Sequence, residues 1–458
     1  MAGDVDRHSL RYFRGHRLVI DSFYGWLVKC LMMFSRRRRR YRLVCVVVIL
    51  LLVVLCEVSV DNTEGQWGVH VRLRFRKRPT TPSVDTPIRI KVGKARSRWR
   101  KQIDERRRRL QRVCTTQSAH TDFTQLNLRH FQYNHKHRML YCGVEKSGST
   151  FWRRLLQQID KNVIISPYNI RPENGLLNYR NLANETLEEL DDILKFSVKF
   201  MVARDPYTRL LSGYIDKLYS PNVYFWDSIG EHIVRAVRPN ATMKSKTCGH
   251  DVTFLEFVKY VIKSQTTGEK KDSHFMPAVE ICNPCKVRFD IISQMETFRF
   301  DVRFILETFN LRSYLGVIDG PSYNMLNDTI YDVAQAFVSM RTDIRRCMSV
   351  HAALLRVWEK LQIKGIVSLD IPCPFKKDEV SGLTIDIMTS VIREALDSAS
   401  LSALKSQRKS LFLKFYRQIP LDVLRKLADV FKNDFDHFGY EQYPAILFKR
   451  VNTEKTIG

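Results

Sequence analysis

Acidic residues are scarce in this chain, which has 48 aspartates and glutamates against 75 lysines and arginines among its 458 residues. The formal net charge of +27 at pH 7 gives the protein a strong positive field, which favours polyanionic partners. Arg106–Arg109 alone could pass for a nuclear signal, yet the sequence contains no motif of a nucleic-acid-binding fold. We therefore expect a polyanionic partner and no nucleic acid.

Long apolar runs are also rare. The longest, Leu43–Cys56, has fourteen residues, whereas a bilayer-spanning helix needs about 20. Extended to Val60, residues 43–60 suffice for the thinner membranes of the early secretory pathway. Arginines crowd Arg36–Arg40, and Glu57–Val71 contains neither lysine nor arginine, which orients the N-terminus to the cytosol. We predict a cytosolic tail (1–42) and a signal anchor (43–60) of a single-pass type II membrane protein.

Two other interpretations of this apolar run are weaker. A cleaved signal peptide would need a small-residue cleavage site and a leader shorter than the forty residues found here. A buried core helix does not fit the arginine run directly before it. The anchor therefore makes the rest of the chain lumenal, where a positive field favours acidic glycans as partners.

The region after the anchor lacks sustained apolar periodicity and is rich in arginine. We predict a basic stem over residues 61–130, partly helical near Arg98–Arg112. Residues 131–447 are long enough for one catalytic α/β domain, followed by a C-terminal tail (448–458). Three glycosylation sequons lie on the lumenal side, at Asn184, Asn240 and Asn327.

A second pair of zinc ligands is missing. Cys282 and Cys285 have the spacing of two zinc ligands, but no further pair lies at a suitable distance, so we expect no metal site. The oxidising lumen favours disulfides, although their pairing does not follow from sequence. Cys142 lies inside a strand and is expected to be a buried free thiol. Cys114, in the stem, is a candidate for linking two chains into a homodimer.

A strand, a loop and a helix follow one another between residues 139 and 160. Met139–Val144 is an almost unbroken apolar run, which predicts a strand buried on both faces. Apolar residues then recur at helical spacing from Phe151, so a helix begins near Ser149 or Thr150. The loop between these elements is predicted to bind a phosphate through its backbone N–H groups and the helix N-terminus.

This loop lacks a lysine directly after its second glycine. A Walker A loop has lysine there, whereas this loop has Ser149 after Gly148 and carries Lys146 three residues earlier. The position of the lysine indicates a nucleotide with a shorter anionic chain, bound without a metal. The alternative is a Gly/Ser-rich turn with a surface lysine.

A second strand and helix carry an arginine between them. Phe196–Ala203 is predicted to be a strand, after which Asp205 caps a helix that has Pro206 in its first turn. Arg204 then lies at the carboxyl end of a strand, where open α/β sheets bind ligands, and its guanidinium can hold a phosphate by two hydrogen bonds. Ser212 can donate a third. The alternative is an Arg–Asp turn with a surface serine.

These segments resemble the two nucleotide-binding motifs of sulfotransferases. Lys146–Thr150 is similar to the family's 5′-phosphosulfate loop, and Arg204–Ser212 to its 3′-phosphate motif. Two further blocks, Asp272–Thr297 and Asn433–Tyr440, resemble the chondroitin/dermatan 4-O branch of the Golgi carbohydrate sulfotransferases. The resemblance spans residues 135–445. One departure is Glu145, where the family has proline; this carboxylate could point outward or pair with a nearby arginine, Arg153 or Arg154.

The resemblance implies a P-loop-like parallel sheet flanked by helices, with helical additions. It implies a donor, 3′-phosphoadenosine 5′-phosphosulfate (PAPS), and no metal. The residues expected to bind PAPS are Lys146, Ser147, Gly148, Ser149, Thr150, Phe151, Arg204 and Ser212. Lys146 is expected to act on the bridging oxygen, and His274 is the candidate general base, because the pKa of histidine suits proton transfer near neutral pH. Glu145 is a weaker candidate, and a purely structural role for His274 remains open.

The expected activity is sulfuryl transfer from PAPS to a glycan hydroxyl at the Golgi membrane. The acceptor suggested by the resemblance is a galactosamine-containing glycosaminoglycan or an N-glycan terminus. Two alternatives remain. One is a catalytically inactive, membrane-anchored glycan-binding relative, motivated by Glu145. The other is a P-loop kinase, which would require a lysine after Gly148 and an acidic Mg²⁺ ligand where Arg204 lies.

Overall fold

The computed structural model describes residues 56–63, 66–73, 94–115, 126–170, 181–318 and 323–450. The chain divides into two compact units, residues 1–87 and 88–458. The expected cytosolic tail (1–42), residues 43–55 of the expected anchor and the last eight residues of the C-terminal tail lie outside the described residues.

The first unit contains an antiparallel pair of strands, β1 (Cys56–Thr63) and β2 (Gln66–Leu73). Positions 56–60, expected at the end of the transmembrane helix, are therefore in a strand. Valine alternates with polar residues here, and the register pairs Val58 with Val71, which favours a strand over a helix. None of the helices in the described ranges is both long and apolar enough to cross a membrane.

The second unit is built on a four-stranded sheet in the order β3-β4-β5-β6. The strands are β3 (Phe131–Asn134), β4 (Met139–Cys142), β5 (Val198–Ala203) and β6 (Ile291–Gln294). The last three are parallel, and β3 adds an antiparallel edge. All of β4 and most of β5 and β6 are buried, as expected for parallel strands with helices on both faces. The predicted α/β class, with a sheet flanked by helices, is confirmed.

Most of the other described residues of this unit are helical. Short helical turns lie at Val223–Phe225 and Leu315–Ile318, and π-helical turns lie at Ile215–Tyr219 and Trp226–Gly230. The helices are α1 (Lys94–Cys114), α2 (Ser149–Lys161), α3 (Leu187–Phe196), α4 (Pro206–Tyr214), α5 (Glu231–Val237), α6 (Met243–Cys248), α7 (Phe254–Thr267), α8 (Ala278–Cys282), α9 (Pro284–Val287), α10 (Phe298–Thr308), α11 (Tyr323–Ile344), α12 (Val350–Ile363), α13 (Ile385–Asp397), α14 (Leu401–Arg417), α15 (Leu421–Val430), α16 (Lys432–Phe438) and α17 (Ala445–Phe448).

Helix α1 packs on the sheet, although its residues were expected to belong to the stem. Ile103 and Leu110 are buried among core side chains, and buried Arg106 donates a 2.7 Å hydrogen bond to Asp301 of α10. Arg106 also donates to Thr297. The arginine-rich composition concealed this arrangement, because a buried, paired arginine and an exposed one look alike in a sequence.

Helices α11 to α13 share a hydrophobic cluster of their own, centred on Phe337, Leu354 and Ile392. Among the contacts that join this helical addition to the rest of the unit are a disulfide and an ion pair. A disulfide links Cys248, at the end of α6, to Cys347, just before α12. Buried Arg154 of α2 makes bonds of 2.7 and 2.8 Å to the carboxylate of Asp328 in α11. The addition is therefore fixed to the helix that follows the glycine loop.

The disulfides correct two expectations. Cys142 is bonded to Cys282 and is not a free thiol. Cys114 is bonded to Cys285 within the same chain, so it is not available to link two chains. The two cysteines at zinc-like spacing thus pair with separate partners, one on β4 and one at the end of α1. Sequence spacing alone did not identify these partners because they lie 140 and 171 residues away.

Candidate active site

The loop after β4 has the conformation of an anion-binding loop. Lys146 and Gly148 have positive φ angles of 65° and 76°, and the Ser147 N–H donates to the Val144 carbonyl at 3.2 Å. A Cβ atom on Gly148 would lie 2.9 Å from the Phe298 ring, so a larger residue does not fit there. Helix α2 begins at Ser149, as predicted, and no side chain caps its first N–H groups. These groups are directed at the loop and favour an anion.

The loop's serine is also placed for a ligand. The side-chain oxygen of Ser147 is buried and has no hydrogen-bond partner among the described residues. A buried hydroxyl without a partner is costly, and a bound oxyanion would satisfy it. Ser149 is buried, Thr150 is exposed, and Phe151 is buried against the rings of Phe298 and Tyr168. Phe151 therefore supports the loop by packing.

Lys146 is paired with a carboxylate that sequence reasoning missed. Its ammonium group contacts Asp216, which lies in the π-helical turn after α4. Burial lowers the pKa of Lys146 to about 8, against the opposing attraction of Asp216. Although burial alone would raise it, Lys146, Lys360 and Lys364 hold the pKa of Asp216 well below its usual value. The pKa of Lys146 is thus about one unit above neutral pH, and the carboxylate of Asp216 holds its ammonium group in place.

Arg204 lies at the carboxyl end of β5, as predicted. Its guanidinium donates to the carbonyl oxygen of Lys146 at 2.8 Å and to the hydroxyl of Thr208 at 3.2 Å. Asp205 caps α4 by accepting the Thr208 N–H at 2.8 Å, and Pro206 begins the helix. Ser212 is half-buried one turn beyond Thr208, on the same face of α4. The two predicted nucleotide motifs are therefore in direct contact.

Glu145 points inward and is neutralised. Its carboxylate accepts a 2.7 Å hydrogen bond from Arg153, and its other oxygen lies 3.4 Å from Nδ1 of His130. Burial would raise its pKa, but His130 and Arg153 together hold the pKa of Glu145 at about 2. Of the two arginines considered as partners, the structure selects Arg153, because Arg154 is occupied with Asp328. The carboxylate is directed away from Lys146 into this ion-pair cluster.

His274 is held by its neighbour Asp272. Its Nδ1 lies 2.8 Å from the Asp272 carboxylate, which also accepts the His274 backbone N–H at 2.8 Å. This leaves Nε2 as the nitrogen available to another group. Burial lowers the pKa of His274, and the bond to Asp272 opposes that shift. A neutral imidazole at neutral pH can accept a proton, as a general base must.

Buried Arg209 connects the histidine segment to the glycine loop. It donates to the backbone carbonyl of Glu145 at 3.1 Å and to those of Ser273 and Met276. Arg209 lies within the Arg204–Ser212 motif that the sequence indicated, but its role in joining the two segments did not follow from the sequence. Arg209 holds the donor loop and the candidate base in one rigid arrangement.

His437, which belongs to the Asn433–Tyr440 block, and the sequon asparagines lie apart from this arrangement. His437 has Nε2 3.3 Å from the Cys285 sulfur and Nδ1 2.7 Å from the Asn433 carbonyl, which gives it a structural environment. Cys114 approaches the same point, but it and Cys285 form a disulfide and cannot act as thiolate ligands. Among the sequon asparagines, Asn184 and Asn240 are exposed, whereas Asn327 of α11 accepts a hydrogen bond from Arg393 of α13.

Fold and site together define an α/β enzyme of the group-transfer type: a glycine loop with a lysine, an arginine on the neighbouring strand and a histidine–carboxylate pair on a connected loop. Residues 129–348 match the model of the sulfotransferase family. Residues 129–348 are therefore a sulfotransferase-family domain, and the chain is similar to carbohydrate sulfotransferases.

Three relatives illustrate that similarity. Carbohydrate sulfotransferase 11 of Mus musculus is 27% identical over 258 residues, which is 54% of this chain and 72% of that protein. Carbohydrate sulfotransferase 14 of Danio rerio is 31% identical over 180 residues, 39% and 48% of the two chains. Carbohydrate sulfotransferase 8 of Homo sapiens is 29% identical over 269 residues, 53% and 61%. No solved structure matches the chain.

Proposed function

We propose that the protein transfers a sulfuryl group from PAPS to a hydroxyl group of a glycan. The observation that carries this proposal is the 2.8 Å hydrogen bond between Arg204 and the Lys146 carbonyl, which joins two anion-binding elements on neighbouring strands. A nucleotide with anionic groups at both ends of its ribose fits such a pair. The names of the relatives support a carbohydrate as acceptor.

The donor supplies a sulfuryl group on a phosphate that leaves with increasing negative charge. Lys146 would bind the bridging oxygen, and the loop N–H groups with the Ser147 hydroxyl would bind the 5′-phosphate. Arg204 would hold the 3′-phosphate, with Thr208 and Ser212 on the same face of α4. The buried Ser147 hydroxyl, which has no partner in the part of the chain that the structure describes, supports the fit of an oxyanion at this loop. The charge on Lys146 then stabilises the leaving group as the sulfur–oxygen bond breaks.

The acceptor hydroxyl would lose its proton to Nε2 of His274. Asp272 keeps a proton on Nδ1 and so directs the free lone pair of Nε2 outward. Arg209 fixes the distance between this histidine segment and the glycine loop. The arrangement favours an active enzyme over the glycan-binding alternative, because Arg153 and His130 neutralise the unusual Glu145.

For the acceptor we propose an acidic or galactosamine-containing glycan, either a glycosaminoglycan or an N-glycan terminus. The net charge of +27 supports an anionic acceptor, because long-range attraction raises its local concentration. We further propose a type II topology at the Golgi membrane, which the arginine run before the apolar segment supports.

The test is transfer of labelled sulfate by the full-length protein in microsomes. Detergent-opened microsomes would receive ³⁵S-labelled PAPS and a panel of chondroitin, dermatan, heparan and desialylated N-glycans. We expect label in at least one galactosamine-containing acceptor, loss of transfer with Lys146→Ala, and no change with the exposed control Lys377→Ala. Equal labelling with wild type, Lys146→Ala and untransfected microsomes for every acceptor would contradict the proposal.

A further inference from the structure

Asp216 binds three lysines, and only one of them belongs to the glycine loop. One carboxylate oxygen contacts Lys146, and the other lies 3.0 Å from the ammonium nitrogen of Lys360 and 3.1 Å from that of Lys364. A single carboxylate thus brings three ammonium groups within a few ångströms of one another. Lys360 and Lys364 are located at the end of α12, more than two hundred residues after the loop in sequence.

The local structure explains how α12 reaches this point. The π-helical turn Ile215–Tyr219 places Asp216 and Tyr219 toward α12, where the Tyr219 hydroxyl bonds Glu359. The guanidinium of Arg356 lies 6.0 Å from the Tyr219 ring centroid. The disulfide from Cys248 holds the chain just before α12. Helix α12 is therefore fixed against the segment that positions the loop lysine.

The charges in this cluster do not balance. Among the described residues, three ammonium groups share the single carboxylate of Asp216. Lys217, in the same turn, is also attracted by Asp272 and Glu145 and is therefore not counted in this excess. Partly buried positive charge in excess is costly and favours an anionic ligand. Burial lowers the pKa of Lys360, and the charge on Lys364 adds to that shift. The Lys364 side chain retains 29% of its exposure, so a ligand can reach the cluster from solvent.

We propose that Lys360 and Lys364 are anion-binding residues of the transfer site and that Asp216 positions them beside Lys146. Their ligand is an oxyanion of a substrate: the sulfonate of the donor, or a carboxylate of an acidic acceptor. This inference rests on the proposed function, because it assigns the ligand at the same site. Both lysines lie beyond residues 129–348, so the helical addition contributes to a site built mainly by the family domain.

The experiment compares the full-length wild type with the double variant Lys360→Met/Lys364→Met. Methionine has a side chain of similar length to lysine but carries no charge. Lys377→Met, on an exposed loop, is the matched control. Calorimetry measures binding of PAPS and of its desulfated product, 3′-phosphoadenosine 5′-phosphate (PAP). Kinetics then measure KM for chondroitin and for carboxyl-reduced chondroitin. Near-UV circular dichroism checks that each variant is folded.

The two sources of the anion give different results. If the lysines bind the donor sulfonate, the affinity of the double variant for PAPS is lower than that of the wild type by about tenfold or more. Its affinity for PAP stays within about twofold of the wild-type value. If they bind an acidic acceptor, KM rises about tenfold or more for chondroitin but not for its carboxyl-reduced form. Affinities and KM values equal to those of the wild type in both arms would overturn the inference. A wild type that binds neither PAPS nor PAP would instead overturn the proposed function.

The positioning role of Asp216 has its own readout. In Asp216→Asn the attraction that supports the charge of Lys146 is lost, so the pH at which PAP affinity begins to decline should fall below about 8. Asp216→Glu should restore that pH. If the decline in Asp216→Asn has the same midpoint as in the wild type, Asp216 does not position the lysines electrostatically.

Discussion

Arg204 donates a 2.8 Å hydrogen bond to the backbone carbonyl of Lys146. The guanidinium extends from the end of β5 and the carbonyl belongs to a loop residue with a φ of 65°, so the bond holds a left-handed backbone conformation in place. The residue proposed to hold the 3′-phosphate therefore also shapes the loop proposed to hold the phosphosulfate. Substitutions at these two positions should not be additive, because they share this contact.

The titration of Lys146 should limit donor binding at alkaline pH. Its pKa in the free protein is lowered to about 8, and the charged form is the one that binds an anion. PAP affinity should therefore be constant below pH 7 and decrease above pH 8, by up to about tenfold per pH unit for one linked proton. Calorimetry between pH 6.5 and 9.5 measures this, with Lys146→Arg as the control that should remain flat. A wild-type affinity that is unchanged up to pH 9.5 would contradict the assignment.

Glu145 should stabilise the fold through Arg153 and His130. Glu145→Gln weakens both contacts in a buried setting, so we expect the free energy of unfolding to fall by about 1–3 kcal/mol. Because the folded pKa of about 2 lies below the ordinary value of 4.5, this stabilisation is complete above pH 4.5 and is lost as the pH falls toward 2. Urea unfolding of wild type, Glu145→Gln and exposed Glu441→Gln measures it. Equal stabilities at pH 7 would show that the cluster contributes nothing.

Substitutions in the His274–Asp272 pair should change the rate of sulfuryl transfer without changing donor binding. His274→Ala should reduce kcat by about 10²–10⁴-fold and leave PAP affinity within about twofold. Asp272→Asn removes the bond that raises the pKa of His274, so the acid limb of the pH–rate profile should move to lower pH. His135→Ala, on an exposed turn, serves as control. Loss of PAP binding together with activity in His274→Ala would indicate a structural role for the histidine.

The disulfides should stabilise one chain and not join two. Replacing Cys142 and Cys282 by alanine should lower the free energy of unfolding by about 2–5 kcal/mol, because the bond closes a long loop between β4 and α8. The half-buried free thiol Cys373 is the control, and Cys373→Ala should have little effect. Peptide mapping without reduction should recover Cys114 with Cys285. A disulfide-linked dimer that disappears with Cys114→Ser would contradict the intrachain pairing.

Local patterns predicted the parts of the site that are continuous in sequence. The apolar run before Gly143, the helical spacing after Ser149 and the Asp205–Pro206 cap each depend on nearest neighbours along the chain. They placed Lys146 in the loop after one strand and Arg204 at the carboxyl end of another, and the structure shows that the two strands are adjacent and parallel. Such positions follow from periodicity and capping alone.

Contacts between distant segments did not follow from any pattern. The bond from Asp216 to Lys360 joins residues that are far apart, and a lysine in an amphipathic helix is expected at the surface. The arginine-rich helix α1 appeared to be part of a stem, because burial of Arg106 depends on Asp301, which lies 195 residues later. Disulfide partners are equally invisible to spacing. In each case the deciding partner is brought close only by the tertiary fold.

We propose that Arg204 recognises a 3′-phosphate beside the Lys146 loop. The most direct measurement is the ratio of the dissociation constants of adenosine 5′-monophosphate and PAP, which differ only in that phosphate, for the wild type and Arg204→Met. We expect PAP to bind the wild type about 10–100-fold more tightly, and the ratio to approach one in Arg204→Met but not in exposed Arg345→Met. A ratio that is the same in all three proteins would show that Arg204 does not recognise the 3′-phosphate.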